Sequence, residues 1–151
     1  MTEALSHVPF SSYRSGVDPS SIDYNGHMND AAYAQVLTDA NEEFLDALGL
    51  SATYRERTAC AMYSVEITLK FLQEVSAEDQ LRAESILATH DAKRVRVHTT
   101  LFKGNDIQVA TGDSLYLHVD TASARVSPFP DDRAGVLDDV QRAHDEASTS
   151  R

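Results

Sequence analysis

The run Ile22-Asp23-Tyr24-Asn25-Gly26-His27-Met28-Asn29-Asp30-Ala31-Ala32-Tyr33 sets a carboxylate, an imidazole and two carboxamides around a turn glycine. Carboxylates and imidazoles move protons, and a carboxylate can also act as a nucleophile. The run ends where a helix begins, and the free N–H groups of a first helical turn attract developing negative charge. Each residue also has a purely structural reading. Asp23, Asn25 and Gly26 are ordinary turn formers, with Gly26 allowing a positive φ. Asn29 or Asp30 serves as the helix N-cap, and a lone turn histidine such as His27 is commonly solvated or bonded to backbone.

The remaining reactive side chains lack such company. The single cysteine, Cys60, excludes an intrachain disulfide and a multi-cysteine metal site, and between two alanines it reads as a small buried hydrophobe. His90, His98 and His118 fall in different segments without ligand spacing, so no metal is expected.

The elements around the run follow from periodicity. Residues 1–6 read as a ragged start, and His7 to Val17 as a β-type segment at a sheet edge, because Pro9 cannot donate to a ladder. From about Asn29 to Leu48, Tyr33, Val36, Leu37, Ala40, Phe44, Leu45 and Leu48 form one apolar stripe, with Gly49 as C-cap. A polar connection through Arg55-Glu56-Arg57 leads to alternation: Val65, Ile67, Leu69 and Phe71 on one face, Ser64, Glu66, Thr68 and Lys70 on the other. Further strands hold Leu81 to Leu87, Val95 to Leu101 and Ile107 to Val119, with a tight turn at 89–93, a hairpin loop at 103–106 and a bulge or bend at Gly112. The class is α+β: one helix laid on a highly curved antiparallel sheet of about five strands. Residues 1–125 make the domain. Residues 126–151 form an extension, with a short helix near 138–142 and a frayed tail.

Composition bounds the setting. The 151 residues suffice for a core without staples, and 42% hydrophobic with 25% charged residues is the balance of a soluble globular protein. A formal charge of −11 repels polyanions, which argues against nucleic acid and anionic membrane surfaces. No apolar stretch approaches the ~18 residues of a membrane span, and no signal peptide is expected. One cysteine fits a cytosolic, reducing environment.

The pattern Asp23-x-x-Gly26-His27-Met28-Asn29-x-x-x-Tyr33, followed by an amphipathic helix and then strands, resembles the hotdog-fold acyl-CoA thioesterases of the 4-hydroxybenzoyl-CoA thioesterase type. The likeness runs from about Val8 to Val119. The wording Asp-Tyr-Asn-Gly-His-Met-Asn-Asp, with Leu48-Gly49-Leu50 after the helix, is similar to a narrower branch of betainyl-CoA thioesterases in carnitine degradation. The resemblance implies hydrolysis of a short acyl-CoA thioester, with coenzyme A as part of the substrate and no cofactor. It implies Asp23 as base or nucleophile, backbone N–H groups of Asp30 and Ala31 as the oxyanion site, Asn29 to orient water or donate to that oxygen, and His27 to assist proton transfer. It also implies a homodimer or homotetramer with sites between subunits. There Tyr33, Tyr63 and Glu66 (with Tyr24 in reach) would meet the acyl group, tyrosines and a carboxylate suiting a quaternary ammonium. Lys93, Arg94 and Arg96 form a basic cluster that would meet the phosphates of coenzyme A, or would simply discourage edge aggregation.

Two rivals remain open. Hotdog hydratases and dehydratases pair Asp and His through a motif with proline between them, whereas Asp23-x-x-x-His27 contains none. A non-catalytic module that binds acyl-CoA is disfavoured by the intact Asp23, Gly26 and Asn29.

Overall fold

The computed structural model describes residues 2–149. The element order is α1 (Glu3–Ser6), β1 (Arg14–Ser15), a 3-10 turn (Pro19–Ser21), α2 (Asp30–Ala47), α3 (Ala52–Thr58), β2 (Cys60–Phe71), β3 (Leu81–His90), β4 (Arg94–Lys103), β5 (Ile107–Asp120), β6 (Arg125–Val126) and α4 (Asp131–Thr149). All strand pairings are antiparallel, and the sheet runs β1-β3-β4-β5-β2, with β6 added to the end of β5. As the sequence implied, one long helix lies on one antiparallel sheet.

The sheet's inner face is built by strict alternation. Leu81, Ala83, Ser85 and Leu87 of β3, and Val95, Val97, Thr99 and Leu101 of β4, are buried on the face that α2 covers, while most of the residues between them are half-exposed. The helix answers with Tyr33, Leu37, Ala40, Phe44 and Leu45. Leu37 descends onto Gly112 of β5, where an added Cβ would stand 2.5 Å from one Leu37 methyl carbon. Gly112, expected at a bulge or bend, shows no register shift with either neighbouring strand and is required by a close helix approach. The register shifts lie elsewhere, between Ser64 and Glu66, Leu87 and Thr89, and Leu101 and Phe102.

A polar chain runs through the otherwise apolar layer. The Asn41 amide donates to the Ser114 and Tyr116 hydroxyls at 3.0 Å each. Its oxygen accepts from Thr99 at 2.7 Å, and Thr99 in turn meets the Ser85 hydroxyl at 2.8 Å. Asn41 is 1% exposed, so these bonds replace the water it loses.

Several segments differ from expectation. The polar connection after α2 is itself a short helix, because Tyr54 buries against the sheet while Arg55, Glu56 and Arg57 stay in solvent. Residues 1–6 are not ragged throughout: α1 places Leu5 in the core. The short C-terminal helix expected near 138–142 spans Asp131–Thr149, and Leu137, Val140 and His144 bury one face of it, largely over β3. Arg133 donates to the Leu48 carbonyl at the C-terminus of α2 at 2.8 Å. The His144 ring stacks on Phe44, and its Nδ1 accepts the Leu87 N–H at 2.8 Å. Burial holds the His144 pKa below the usual histidine value. Cys60 is only partly buried. Among the described residues no helix is long and apolar enough to cross a membrane.

Candidate active site

The reactive run folds as a narrow loop clamped at both ends. Ile22 bridges Met28, the Asp23 N–H donates to the His27 carbonyl at 3.0 Å, and the Gly26 N–H closes the turn on the Asp23 carbonyl at 2.9 Å. Gly26 takes φ 81°, the left-handed conformation that glycine adopts at no steric cost. One Asp23 carboxylate oxygen accepts the Asn25 N–H at 2.9 Å, which orients the group and leaves its other oxygen free for chemistry. The loop is tied down by Met28 N–H to the Val75 carbonyl at 2.7 Å, and by Asn29 N–H to the Ser21 carbonyl at 2.8 Å.

Asn29 is the N-cap of α2, its side-chain oxygen accepting the Ala32 N–H at 2.9 Å. That bond uses the carboxamide oxygen and leaves the NH2 available to donate. Among the described residues, none accepts a hydrogen bond from the Asp30 and Ala31 N–H groups at the positive end of α2.

A cleft of about 340 Å³ opens here, lined by Asp23, His27, Asp30, Tyr33, Phe71 and Glu74 among others. Tyr33 is buried beneath it, its hydroxyl donating to the Gln73 carbonyl at 2.8 Å and its ring meeting Phe71 edge-on at 5.2 Å. Burial, then the charges of Glu74 and Asp30, push the Tyr33 phenol above its ordinary value.

The structure thus brings Asp23, His27, Asp30 and Tyr33 to one cleft, with Asn29 and Ala31 at the helix start that walls it. Tyr24 points to solvent, 97% exposed. Tyr63 and Glu66 lie elsewhere in the single chain, on β2 in register with Leu117 and Leu115 of β5, on the face turned away from α2. Lys93, Arg94 and Arg96 cluster at the β3–β4 turn, where Asp91 pairs with Arg94 at 2.7 Å. That turn abuts Leu117 whereas the cleft abuts Ala110, seven residues away along β5, or roughly 23 Å. Among the described residues no group of three or more His, Cys, Asp or Glu side chains is arranged to hold a metal ion.

The model of the thioesterase-like superfamily matches residues 17–142. The chain belongs to this superfamily. Among its curated relatives, the Agrobacterium fabrum L-carnitine dehydrogenase/betainyl-CoA thioesterase is 38% identical over 81% of this chain and 25% of its own length. The chain thus spans a quarter of that relative's length. The betainyl-CoA thioesterase of Pseudomonas aeruginosa is 29% identical, over 87% of this chain and 84% of its own. A Staphylococcus aureus protein solved in complex with CoA superposes with TM-score 0.83 at 25% identity, covering 89% of this chain and 84% of that one. The DHNA-CoA thioesterase of the same organism shares the fold at TM-score 0.81 and 12% identity. The hotdog fold and the thioesterase family read from the Asp23-to-Tyr33 motif are both borne out.

For this thioesterase-family chain, the motif led to the loop and the helix start but missed the opposite wall. Phe71, Gln73 and Glu74 come from the end of β2, some forty residues on, and join the cleft through the Met28–Val75 backbone bond. The one available signal was the polar Gln73-Glu74 pair directly after the apolar end of the strand.

Proposed function

We propose that this protein hydrolyses the thioester of an acyl-CoA to a free acid and coenzyme A. The observation that carries the reading is one cleft holding an oriented carboxylate, Asp23, beside the uncapped N–H groups of Asp30 and Ala31. Asp23 takes a proton from the attacking water or attacks the thioester carbon itself. Either route drives negative charge onto the thioester oxygen, and fixed donors at a helix start stabilise that charge without reorganising. The Asn29 NH2 orients water or donates to the same oxygen. His27, exposed at the rim, supplies a proton to the departing thiolate. Coenzyme A enters as part of the substrate, and the reading includes no metal or redox group. The unpaired Cys60 supports a cytosolic setting.

The reading includes a second copy of the chain. β2 is a long edge strand, and Val65, Ile67 and Phe71 in it and Leu72 just after it are 43–51% exposed, an apolar edge with unpaired backbone groups of the kind that recruits another strand. Antiparallel pairing of two β2 edges would set the start of one strand beside the end of the other. The partner's basic turn would then approach the end of the sheet that holds Asp23, where Lys93, Arg94 and Arg96 suit the phosphates of coenzyme A. Tyr63 and Glu66, exposed on the same strand, would enter the shared site. Relatives named betainyl-CoA thioesterases support a short acyl group bearing a quaternary ammonium.

Thiol release across a panel of acyl-CoAs tests the reading. Asp23→Asn is expected to slow hydrolysis on the order of 10²–10⁴-fold while acyl-CoA still binds. An unchanged rate would remove Asp23 from the mechanism. Tight binding by the wild-type chain without any thiol release would favour a non-catalytic module.

A further inference from the structure

We infer that Glu74 is the carboxylate that selects a cationic acyl group, forming with the Tyr33–Phe71 aromatic pair a subsite for a quaternary ammonium beside Asp23. The inference rests on the thioesterase reading and adds to it the residues that would select the acyl group.

The composition of the cleft carries the argument. Its lining holds three carboxylates, Asp23, Asp30 and Glu74, and no lysine or arginine. The phosphates of coenzyme A have the basic turn to meet, so this wall faces the acyl end, where its negative charge favours a positive one. The roles of the three carboxylates also differ. Asp23 is held by the Asn25 N–H and, in the proposed reaction, acts on water or the thioester carbon. Asp30 occupies the first turn of α2, where it complements the helix dipole. Glu74 has neither task. Its backbone carbonyl accepts from Lys103 at 2.7 Å, and Lys103 pairs with Asp79; among the described residues the Glu74 side chain has no ion-pair partner. Its charge is felt at the Tyr33 phenol together with that of Asp30, so negative potential reaches the aromatic floor.

That floor has the matching chemistry. Tyr33 and Phe71 meet at 87° between ring planes, and Phe71 remains 50% exposed. An aromatic face next to an unpaired carboxylate attracts a methylated ammonium, which sheds water readily and needs no hydrogen bond. Such a subsite needs no strong donor, and the lining provides neither lysine nor arginine to make one. It therefore discriminates by charge rather than by shape.

The test compares betainyl-CoA with tert-butylacetyl-CoA, a neutral thioester of nearly the same shape in which carbon replaces the ammonium nitrogen. kcat/KM is measured for both with the wild-type chain, Glu74→Gln and Glu66→Gln. Equilibrium binding of both thioesters to Asp23→Asn and to Asp23→Asn/Glu74→Gln gives the same comparison without turnover. The wild-type chain is expected to favour the cationic thioester, and Glu74→Gln to lower the ratio of the two efficiencies roughly tenfold. The binding ratio should fall in parallel. Equal use of the two thioesters by the wild-type chain, or an unchanged ratio in Glu74→Gln, overturns the inference. A ratio that collapses in Glu66→Gln instead moves the cation to the β2 face and overturns it as well. If no thioester releases thiol, the hydrolytic reading fails, and the binding ratio still decides the role of Glu74.

Discussion

Replacing Gly112 by alanine would test how tightly the active-site helix is seated. The new Cβ would lie 2.5 and 2.6 Å from the two Leu37 methyl carbons and 3.0 Å from Cγ. Carbon atoms in good contact sit ~3.5–4.0 Å apart, so the helix and the sheet must separate by about 1 Å or Leu37 must leave its rotamer. Turning χ2 only exchanges one methyl for the other. Overpacking of this kind costs about 1–3 kcal/mol. Leu37→Ala alone empties a side chain that is 0% exposed, at a cost of about 2–5 kcal/mol. Combined, the methyl added at 112 enters the space vacated at 37. The double variant should therefore be about 1–3 kcal/mol more stable than the sum of the single costs predicts. Urea unfolding followed by circular dichroism reads all four proteins of the cycle. Thiol release gives a second readout, because Leu37 lies two turns from the amides at Asp30 and Ala31. Displacing catalytic groups by about 1 Å can cost on the order of 10²-fold, so Gly112→Ala should slow turnover as well as destabilise. Additive costs, or a Gly112→Ala protein as stable as the wild type, would refute the close-approach argument.

Two further outcomes follow from packing and charge. His144 is buried neutral, with Nδ1 accepting the Leu87 N–H and a pKa lowered by burial. Below the unfolded value of about 6.5, the unfolded chain binds a proton that the folded chain refuses. Stability should then fall as pH drops from there towards the folded pKa, by up to about 1.4 kcal/mol per pH unit. His144→Asn keeps an acceptor near Leu87 without titrating, so its urea midpoint should lose less than the wild type's between neutral and mildly acidic pH. Parallel profiles would exclude His144 as the source. On the sheet edge, Ile67→Lys should leave a folded monomer that releases little thiol, as seen by sedimentation and activity together. A wild-type chain that sediments as an active monomer would discard the shared site.

What could be read from the sequence depended on whether a signal was local. The stripe from Tyr33 to Leu48 and the cap at Asn29 are carried by neighbouring residues, and α2 forms where they indicate. The loop from Asp23 to Gly26 was legible for the same reason. The bulge at Val65 was not. In the sequence the alternation from Ser64 to Phe71 is unbroken, yet the register steps from Ser64–Tyr116 to Glu66–Leu115. Ser64 therefore shares the inner face with Ile67, and Tyr63 shares the outer face with Glu66, a pairing that simple alternation forbids. α3 was hidden by three consecutive charged residues directly after its single buried anchor, Tyr54. The extent of α4 was obscured because one of its buried positions is a histidine, invisible to a count of apolar residues. Glu74 is held at the cleft by long-range bonds of its neighbours, Met28 to Val75 and Tyr33 to Gln73, which no short window of sequence contains.

The amide of Asn41 has a consequence beyond satisfying its own polarity. An apolar stripe on a helix is forgiving: it can slide by part of a turn, or roll by some degrees, and still find oil beneath it. A carboxamide whose donors end on two hydroxyls of β5 and whose oxygen ends on a hydroxyl of β4 has one seat. It works as a key in a shaft, fixing both the roll of α2 and its position along its axis. The key lies eleven residues from the free amides at the helix start, roughly 17 Å along the axis. A rigid rod transmits that setting, so in the proposed reaction the aim of the donors at the thioester oxygen would be determined deep in the core, far from the chemistry it serves.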